Sequence, residues 1–489
     1  MVEGSLIRNG PGKQRIGCDE FKHMFDGSAL IRKFDIENGR VFYRSRFLRS
    51  KTFERNMACN RIVVSEFGTE AVPDPCKTLL DRFMAYFTID KLFSDNDLVN
   101  IVEISDELYA LSETPFITKI DKNNLSTLEH IDMRKYLAVN IATAHPHYDT
   151  DKNVYNIGSN FGCYSIVKIP KEKGFQQGSV VANIPAYRPF NPSYYHSFCL
   201  TENFFVFIEQ ALVLSVSTAI TQHFFGGSNS NIFKWIPEYM NKFHLTSRQD
   251  GKELSHIYVS DPFMFFHTIN AYEDNDHVIV DICCYNDDKV LQTLFMDAIK
   301  EAEADINSAK KQADYIRSQA RRFVLPLIRF DDQLIIGQNL NRLENSSAVA
   351  VVSENFEIKC TPEALTEESA AMAEMPTINY KNFNGKKYRY FYALCRRDDL
   401  LCRLMKCDTR TKSIVLWEEN NFYPSEPIFV PRPDAIDEDD GIILSSVISE
   451  IENNKGFLLI LDAKSMKEIA RAEMETPSYL PPDFHGYFC

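Results

Sequence analysis

The chain is 489 residues long, with 44% hydrophobic and 25% charged positions and a formal net charge of -14 at pH 7. That excess of acid, with no basic stripe to offset it, excludes nucleic acid as the partner. Twelve scattered cysteines with no Cys-x-x-Cys pair fit a reducing compartment better than a disulfide framework or a thiolate zinc site.

In chain order, the N-terminal Met1-Val-Glu-Gly-Ser-Leu-Ile-Arg8 lacks the apolar run of a secretory leader. A first hairpin is predicted from Leu30 to Tyr43, turning at Asp35-Ile-Glu-Asn-Gly39. Between Pro75 and Thr88, Leu79, Leu80, Phe83, Met84 and Phe87 recur at helical spacing and build one apolar face. That face suits a helix docked on a core or a short interfacial helix lying on a bilayer. Further hairpins are predicted from Pro115 to Ile131, turning at Asp121–Asn124, and from Phe243 to Val259, turning at Arg248–Gly251. The apolar run Phe204–Ile208 is broken at once by Glu209 and Gln210, far short of the roughly 18 residues a membrane span needs, so no transmembrane segment is expected. Cys199 and Cys283-Cys284 lie in strand-like runs and read as small core hydrophobes. Ile299–Arg317, rich in Ala, Lys, Glu and Gln, predicts a surface helix. Hairpins follow at Arg403–Trp417, turning at Asp408–Thr411, and at Phe457–Glu473, turning at Asp462–Ser465, with the acidic Asp437–Asp440 between them read as a solvated loop.

Many antiparallel hairpins, few helices and no Gly/Ser linker predict an all-β sandwich, barrel or propeller forming a single domain over residues 1–489. Hairpins spread from start to finish favour the propeller, and their irregular spacing argues against a repeat of the WD type. Aromatics are 36 Phe and 22 Tyr against 2 Trp, enough to fill a large core or to line a long apolar cavity.

Four of the eleven histidines stand in short segments dense with aromatics and turn residues. They are His145 in Thr143-Ala-His-Pro-His-Tyr148, His196 in Pro192-Ser-Tyr-Tyr-His-Ser197, His267 in Phe265-Phe-His-Thr-Ile-Asn270 and His485 in Phe484-His-Gly-Tyr487. The pattern points to a metal held by imidazole alone. No one helix can carry residues so far apart, which excludes a His-Glu-x-x-His site and requires convergence from different strands, as at a propeller axis. Imidazole suits iron, copper, nickel or zinc, and four neutral ligands leave the 2+ charge uncompensated, so outer carboxylates are expected. On spacing alone, a core histidine with satisfied hydrogen bonds is the alternative at each position, and His145 and His147 compete for one role.

The chain resembles the carotenoid cleavage oxygenases, in particular the animal branch. That branch comprises the β-carotene central oxygenases, the eccentric β,β-carotene 9',10'-oxygenases and the retinal pigment epithelium isomerohydrolase. The matching segments run through most of the sequence: Gly4-Ser-Leu-Ile-Arg-Asn-Gly-Pro-Gly12, Met24-Phe-Asp-Gly27, Glu66-Phe-Gly-Thr69 and Pro73-Asp-Pro-Cys-Lys77. They continue with Ala144-His-Pro-His147, Tyr155-Asn-Ile-Gly158, Pro192–Ser197, Asn270-Ala-Tyr-Glu-Asp274, Arg321–Leu327, Tyr423–Phe429 and Phe484-His-Gly486.

The resemblance implies a seven-bladed β-propeller, with a few helices and loops capping the face that bears a non-haem Fe(II). It places the iron ligands on His145, His196, His267 and His485, favouring His145 over His147, and three supporting carboxylates on Glu113, Glu374 and Glu426. It implies oxidative cleavage of one double bond of a carotenoid such as β-carotene, with O2 as co-substrate and apocarotenoid aldehydes such as retinal as products. Tyr194 and Tyr195 fall by the substrate tunnel, and that pair is like the oxygenases, whereas the isomerohydrolase has Val at the second position. Cys76, with the face of Leu79, Leu80, Phe83 and Phe87, falls on a region of membrane contact and lipidation, and Ala211–Ile220 on a second contact region. The N-terminal segment is short relative to the family, and Cys199 and Ser112 stand where Gly and Thr are common. The alternatives are a retinyl-ester isomerohydrolase on the same iron scaffold and a non-catalytic carotenoid or lipid carrier. The expected placement is cytoplasmic and peripheral to a membrane, with the mitochondrion less favoured.

Overall fold

At the tip of the first hairpin Asn38 and Gly39 both take positive φ, 51° and 72°. That left-handed pair matches the twist of the strands it joins, Ser28–Glu37 and Arg40–Phe47. The computed structural model describes residues 2–73, 93–160, 162–225, 227–329, 333–366, 372–397 and 399–489. Among these, seven sheets of four to six strands follow one another along the chain and form a seven-bladed β-propeller.

The first blade pairs Gly4–Arg8 with Ser28–Glu37 on one side and with Gly486–Phe488 on the other, so strands from both ends of the sequence share one sheet and close the ring. The second blade is the meander Asn100–Ile104 to Thr127–Asp132, and the third runs from Ile141–Ala142 to Ser179–Pro185. The fourth begins at Cys199–Leu200 and borrows Val349–Val352 and Ile358–Thr361 from later in the chain. The fifth begins with Met264–Asp274, the sixth with Met372–Thr377 and the seventh with Phe422–Pro424 and Ile428–Pro431. Apolar clusters fill the spaces between blades, and Phe34, Phe205, Phe207, Phe243 and Phe263 are fully buried there, so much of the phenylalanine excess is core packing.

The predicted hairpins at Pro115–Ile131, Arg403–Trp417 and Phe457–Glu473 form with turns at the expected residues. The fourth, Phe243–Val259, returns more loosely, through one bridge at Glu253 and then the strand Tyr258–Ser260. The surface helix predicted over Ile299–Arg317 is two exposed helices, Met296–Ala304 and Ile306–Tyr315. Asp305 separates them: its backbone is extended and its carboxylate accepts from Ser308 N–H at 3.0 Å, capping the second helix. The acidic run is not simply solvated, because Glu438 accepts the N–H groups of Arg389 and Tyr390 and Asp439 is buried against Lys406 Nζ at 2.5 Å. Cys199, Cys283 and Cys284 are buried as expected. The helix predicted over Pro75–Thr88, with Cys76, Leu79, Leu80, Phe83 and Phe87, lies outside the described residues. No described helix is long and apolar enough to cross a membrane.

Candidate metal centre

Every blade delivers one ionisable side chain to a common cluster. His485 immediately precedes the closing strand of the first blade, and His145, His196 and His267 come from the third, fourth and fifth. Glu113, Glu374 and Glu426 come from the second, sixth and seventh. Local breaks in the ladders aim them. Ile141–Ala142 and His147–Tyr148 both pair with Val154–Asn160, and between them the backbone leaves the sheet at His145 and Pro146, which has no N–H to give. His267 and Glu374 sit at register shifts of their strands, the kind of bulge that redirects a side chain. Beside Glu374, Met375 is held at φ 49°, an unusual conformation for a side chain of its kind. Ser197 Oγ donates to Phe266 O at 2.7 Å and accepts from Thr268 N–H at 3.2 Å, stitching the His196 and His267 segments together.

The ligating nitrogens of the four histidines all lie within 4.8 Å of one another. The Nε2–Nε2 separations are 2.9 Å for His145–His196, 3.1 Å for His196–His267 and 3.2 Å for His267–His485. On the outer side His196 Nδ1 meets Glu113, His267 Nδ1 meets Glu374 at 2.5 Å and His485 Nδ1 meets Glu426 at 2.7 Å. A carboxylate only accepts, so each of these Nδ1 atoms carries the proton and each Nε2 presents a bare lone pair. Lone pairs aimed at one another across about 3 Å repel, and a cation between them removes the conflict. Two nitrogens each about 2.1 Å from a shared ion and at right angles are about 3.0 Å apart, which the observed spacings match. The donor set therefore fits a divalent transition metal.

Electrostatics reinforce this. Burial, with the three neighbouring imidazoles, pushes His145 well below its ordinary pKa, and burial outweighs Glu426 in lowering His485, so both stay neutral as ligation requires. Burial raises Glu374 and Glu426, but His267 for the one and His485 with Arg8 for the other outweigh it and hold both carboxyls below the usual range. Arg8, which the sequence did not single out, is fully buried, with Nη1 donating to Glu426 Oε2 at 2.8 Å and Nη2 to Asp483 Oδ1 and Phe484 O at 2.7 Å each. A lone arginine inside the apolar run Leu6-Ile7-Arg8 was the available signal.

Of the two tyrosines, Tyr194 donates its hydroxyl to Glu113 at 3.0 Å, beside the cluster. Tyr195 donates to Ile141 O at 3.0 Å, and its ring packs on Tyr164 and Phe207 in the core. His147 stands outside the cluster, with Nε2 on Phe198 O at 2.8 Å. Two different surfaces flank the centre. The ring of Phe266 lies 5.3 Å from that of His196 and leads through Phe25 to Phe67 and Phe233, an aromatic wall. His145, His267 and His485 also line a cavity of about 150 Å3 whose walls include Thr268, Asn270 and Asn384.

The family model described as retinal pigment epithelial membrane protein (RPE65) matches residues 1–489. The chain is 42% identical over its whole length to a protein named carotenoid-cleaving dioxygenase, mitochondrial, from Mustela putorius furo, covering 91% of it. It is 40% identical to the human protein of that name (86% covered) and 41% to the β,β-carotene 15,15'-dioxygenase of Gallus gallus (93% covered), each across the whole chain. Among solved structures, a cobalt-substituted Synechocystis apocarotenoid oxygenase superposes with a TM-score of 0.75 at 22% identity, over 100% of this chain and 92% of that one. The expectation of a cytoplasmic placement with the mitochondrion less favoured is corrected here. It rested on the absence of a recognisable transit peptide, and three relatives at 40–42% identity are named as mitochondrial.

Proposed function

The chain belongs to the retinal pigment epithelial membrane protein family, and from that premise we propose that it is a non-haem Fe(II) dioxygenase that cleaves one double bond of a carotenoid to two carbonyl fragments. The observation that carries the reading is the convergence of four Nε2 lone pairs, three of them backed by a carboxylate on Nδ1. His145, His196, His267 and His485 would hold the iron, which when bound supplies the one-electron chemistry that lets O2 react with a polyene. The protein's own part is to fix each imidazole as the Nε2 ligand through Glu113, Glu374 and Glu426, and to keep those carboxylates charged against the 2+ ion. The wall of Phe266, Phe25, Phe67 and Phe233 offers an apolar surface on which a rigid polyene is positioned, and position along it selects the bond. Overall, C=C and O2 give two C=O groups, with both oxygen atoms retained in the products.

The whole chain acts as one catalytic domain in this reading. Substrate reaches it from a membrane surface: Phe190 is 81% and Ile220 56% exposed, while Ala211–Val213 of the same expected contact region are core. Retention of the complete histidine and glutamate set argues against a carrier, and the names of the relatives favour cleavage over isomerohydrolysis. The mitochondrion is the location this reading takes, and the names of three relatives support it.

The test is an anaerobic incubation of the iron-loaded protein with β-carotene in detergent, followed by admission of oxygen and chromatography. Retinal alone identifies cleavage at the centre, and longer apocarotenals identify an eccentric bond. His196→Ala is expected to lose both iron and products, and unchanged turnover in that variant would disprove the ligand assignment.

A further inference from the structure

The cavity against His145, His267 and His485 has a volume of about 150 Å3, whereas pockets for drug-sized ligands run to roughly 300–1,000 Å3. It does not hold a carotenoid. Its walls away from the histidines carry Thr268, Asn270, Thr377, Tyr380 and Asn384, and a space of this size with several polar partners holds water. Neither Glu113, Tyr194 nor Phe266 lines it, so it is a different surface of the centre from the aromatic wall.

At its outer end Tyr380 is held by hydrogen bonds as well as by ring contacts with His147 and Tyr148. Tyr380, 36% exposed, begins the short helix Tyr380–Phe383. His147 Nε2–H donates to Phe198 O at 2.8 Å, which leaves Nδ1 as the acceptor for the Tyr380 hydroxyl at 2.9 Å. The same hydroxyl accepts from Tyr148 N–H at 3.1 Å, and Asn384 Nδ2 donates to Tyr148 O at 3.2 Å. Asn270 pins this cap from inside, donating to Phe383 O and Lys386 O at 3.0 Å each and accepting from Gly385 N–H at 3.1 Å. Three hydrogen bonds join the cap to the strand His147–Tyr148 of the third blade, and two of them end on the Tyr380 hydroxyl, so a single rotamer change at Tyr380 breaks both.

We propose that this chamber is a second, polar entrance to the metal centre that admits water-sized ligands, dioxygen among them, and that the Tyr380 hydroxyl, bonded to His147 and Tyr148, is its latch. The proposal rests on the reading of the four histidines as an Fe(II) site. Substrate on the aromatic wall and a small ligand in the chamber then reach the centre by separate surfaces, so a bound polyene does not block the smaller molecule.

Nitric oxide is the probe, mixed anaerobically with Fe(II)-loaded full-length protein in a stopped-flow spectrometer after iron content has been measured. Tyr380→Phe removes the latch and is expected to speed association several-fold. Asn384→Trp fills the mouth and is expected to slow it about tenfold. If that variant does not fold, Thr377→Leu narrows the chamber from its wall and carries the same expectation. Iron stoichiometry should be unchanged in each. Association rates equal to wild type in the opening and the narrowing variant, with iron bound, overturn the entrance. Absence of iron from the wild-type protein overturns the metal reading instead.

Discussion

Three of the four imidazoles in the centre are told which way to face by a carboxylate, and the fourth is not. His196, His267 and His485 each give Nδ1–H to a glutamate, whereas His145 has no such partner among the described residues and is held by its backbone N–H on Thr143 Oγ1 at 3.2 Å. The carboxylates fix the tautomer and also balance charge, so replacing one by its amide keeps the shape and removes the charge. Glu374→Gln is therefore expected to keep the fold and weaken iron binding by about 10–100-fold, measured by competition with a chelator. A histidine outside the cluster sets a different dependence. Buried His23 donates from Nε2 to Leu291 O at 3.2 Å and accepts Phe25 N–H on Nδ1 at 3.1 Å, so it has no place for a second proton, and burial lowers its pKa to about 4. The folded state thus binds this proton more weakly than the unfolded chain, whose value is about 6.5. Stability from this residue is complete above pH 6.5 and is lost as pH falls towards 4, by about 3 kcal/mol across that window. Urea denaturation at pH 7 and pH 5 should show a fall that is smaller in His23→Phe, and identical slopes in the two proteins would refute the assignment.

At the level of strands, the same contacts that close the ring also brace the site. Gly4–Arg8 lies between Ser28–Glu37 and Gly486–Phe488, and Arg8 reaches from it to Glu426 in the seventh blade and Asp483 just before His485. Removing the guanidinium takes a cationic partner from each of two buried carboxylates, leaving Glu426 on His485 and Gly486 N–H and Asp483 on Arg32. Arg8→Met is expected to cost about 3–5 kcal/mol in chemical denaturation and to lower iron affinity as well, because Glu426 loses the group that orients it. What sequence could reveal follows the range of the forces involved. Hairpins are local, and the Asp, Asn and Gly tips at Asp35–Gly39, Asp121–Asn124 and Asp462–Ser465 marked them correctly. The break at Asp305 was missed because a cap competes with helix propensity by only about 1 kcal/mol and Ala, Glu, Lys and Gln dominate the segment as a whole. The histidine set showed itself as a composition of segments, but which glutamate meets which histidine depends on blade order. Glu113 of the second blade serves His196 of the fourth, a pairing no spacing encodes; family resemblance supplied the three glutamates but not their partners. Arg8 went unread because its partners lie more than four hundred residues away in the chain.

For the molecule as a whole, the consequence of drawing one residue from each of seven blades is that the centre exists only when the ring is closed. A ligand that binds the folded protein and not the unfolded chain adds RT ln(1 + [L]/Kd), about 4 kcal/mol at a thousandfold excess over Kd. Here that energy is not confined to one blade, because an ion shared by His145, His196, His267 and His485 ties the third, fourth and fifth blades to the strand that closes the first. Iron loading is therefore expected to raise the unfolding midpoint as one cooperative step, with tryptophan fluorescence and far-ultraviolet circular dichroism shifting together. Trp235 lies in the short sheet paired with Leu212–Leu214, and Trp417 lies in the sixth blade, so the two reporters sit in different parts of the ring. His196→Ala should unfold at the same midpoint with and without iron. Arg8→Met should unfold earlier yet keep a positive shift at saturating iron, because its four imidazoles remain. A shift confined to one optical probe would mean that the ion stabilises a single region, and the coupling of the centre to ring closure would then be wrong.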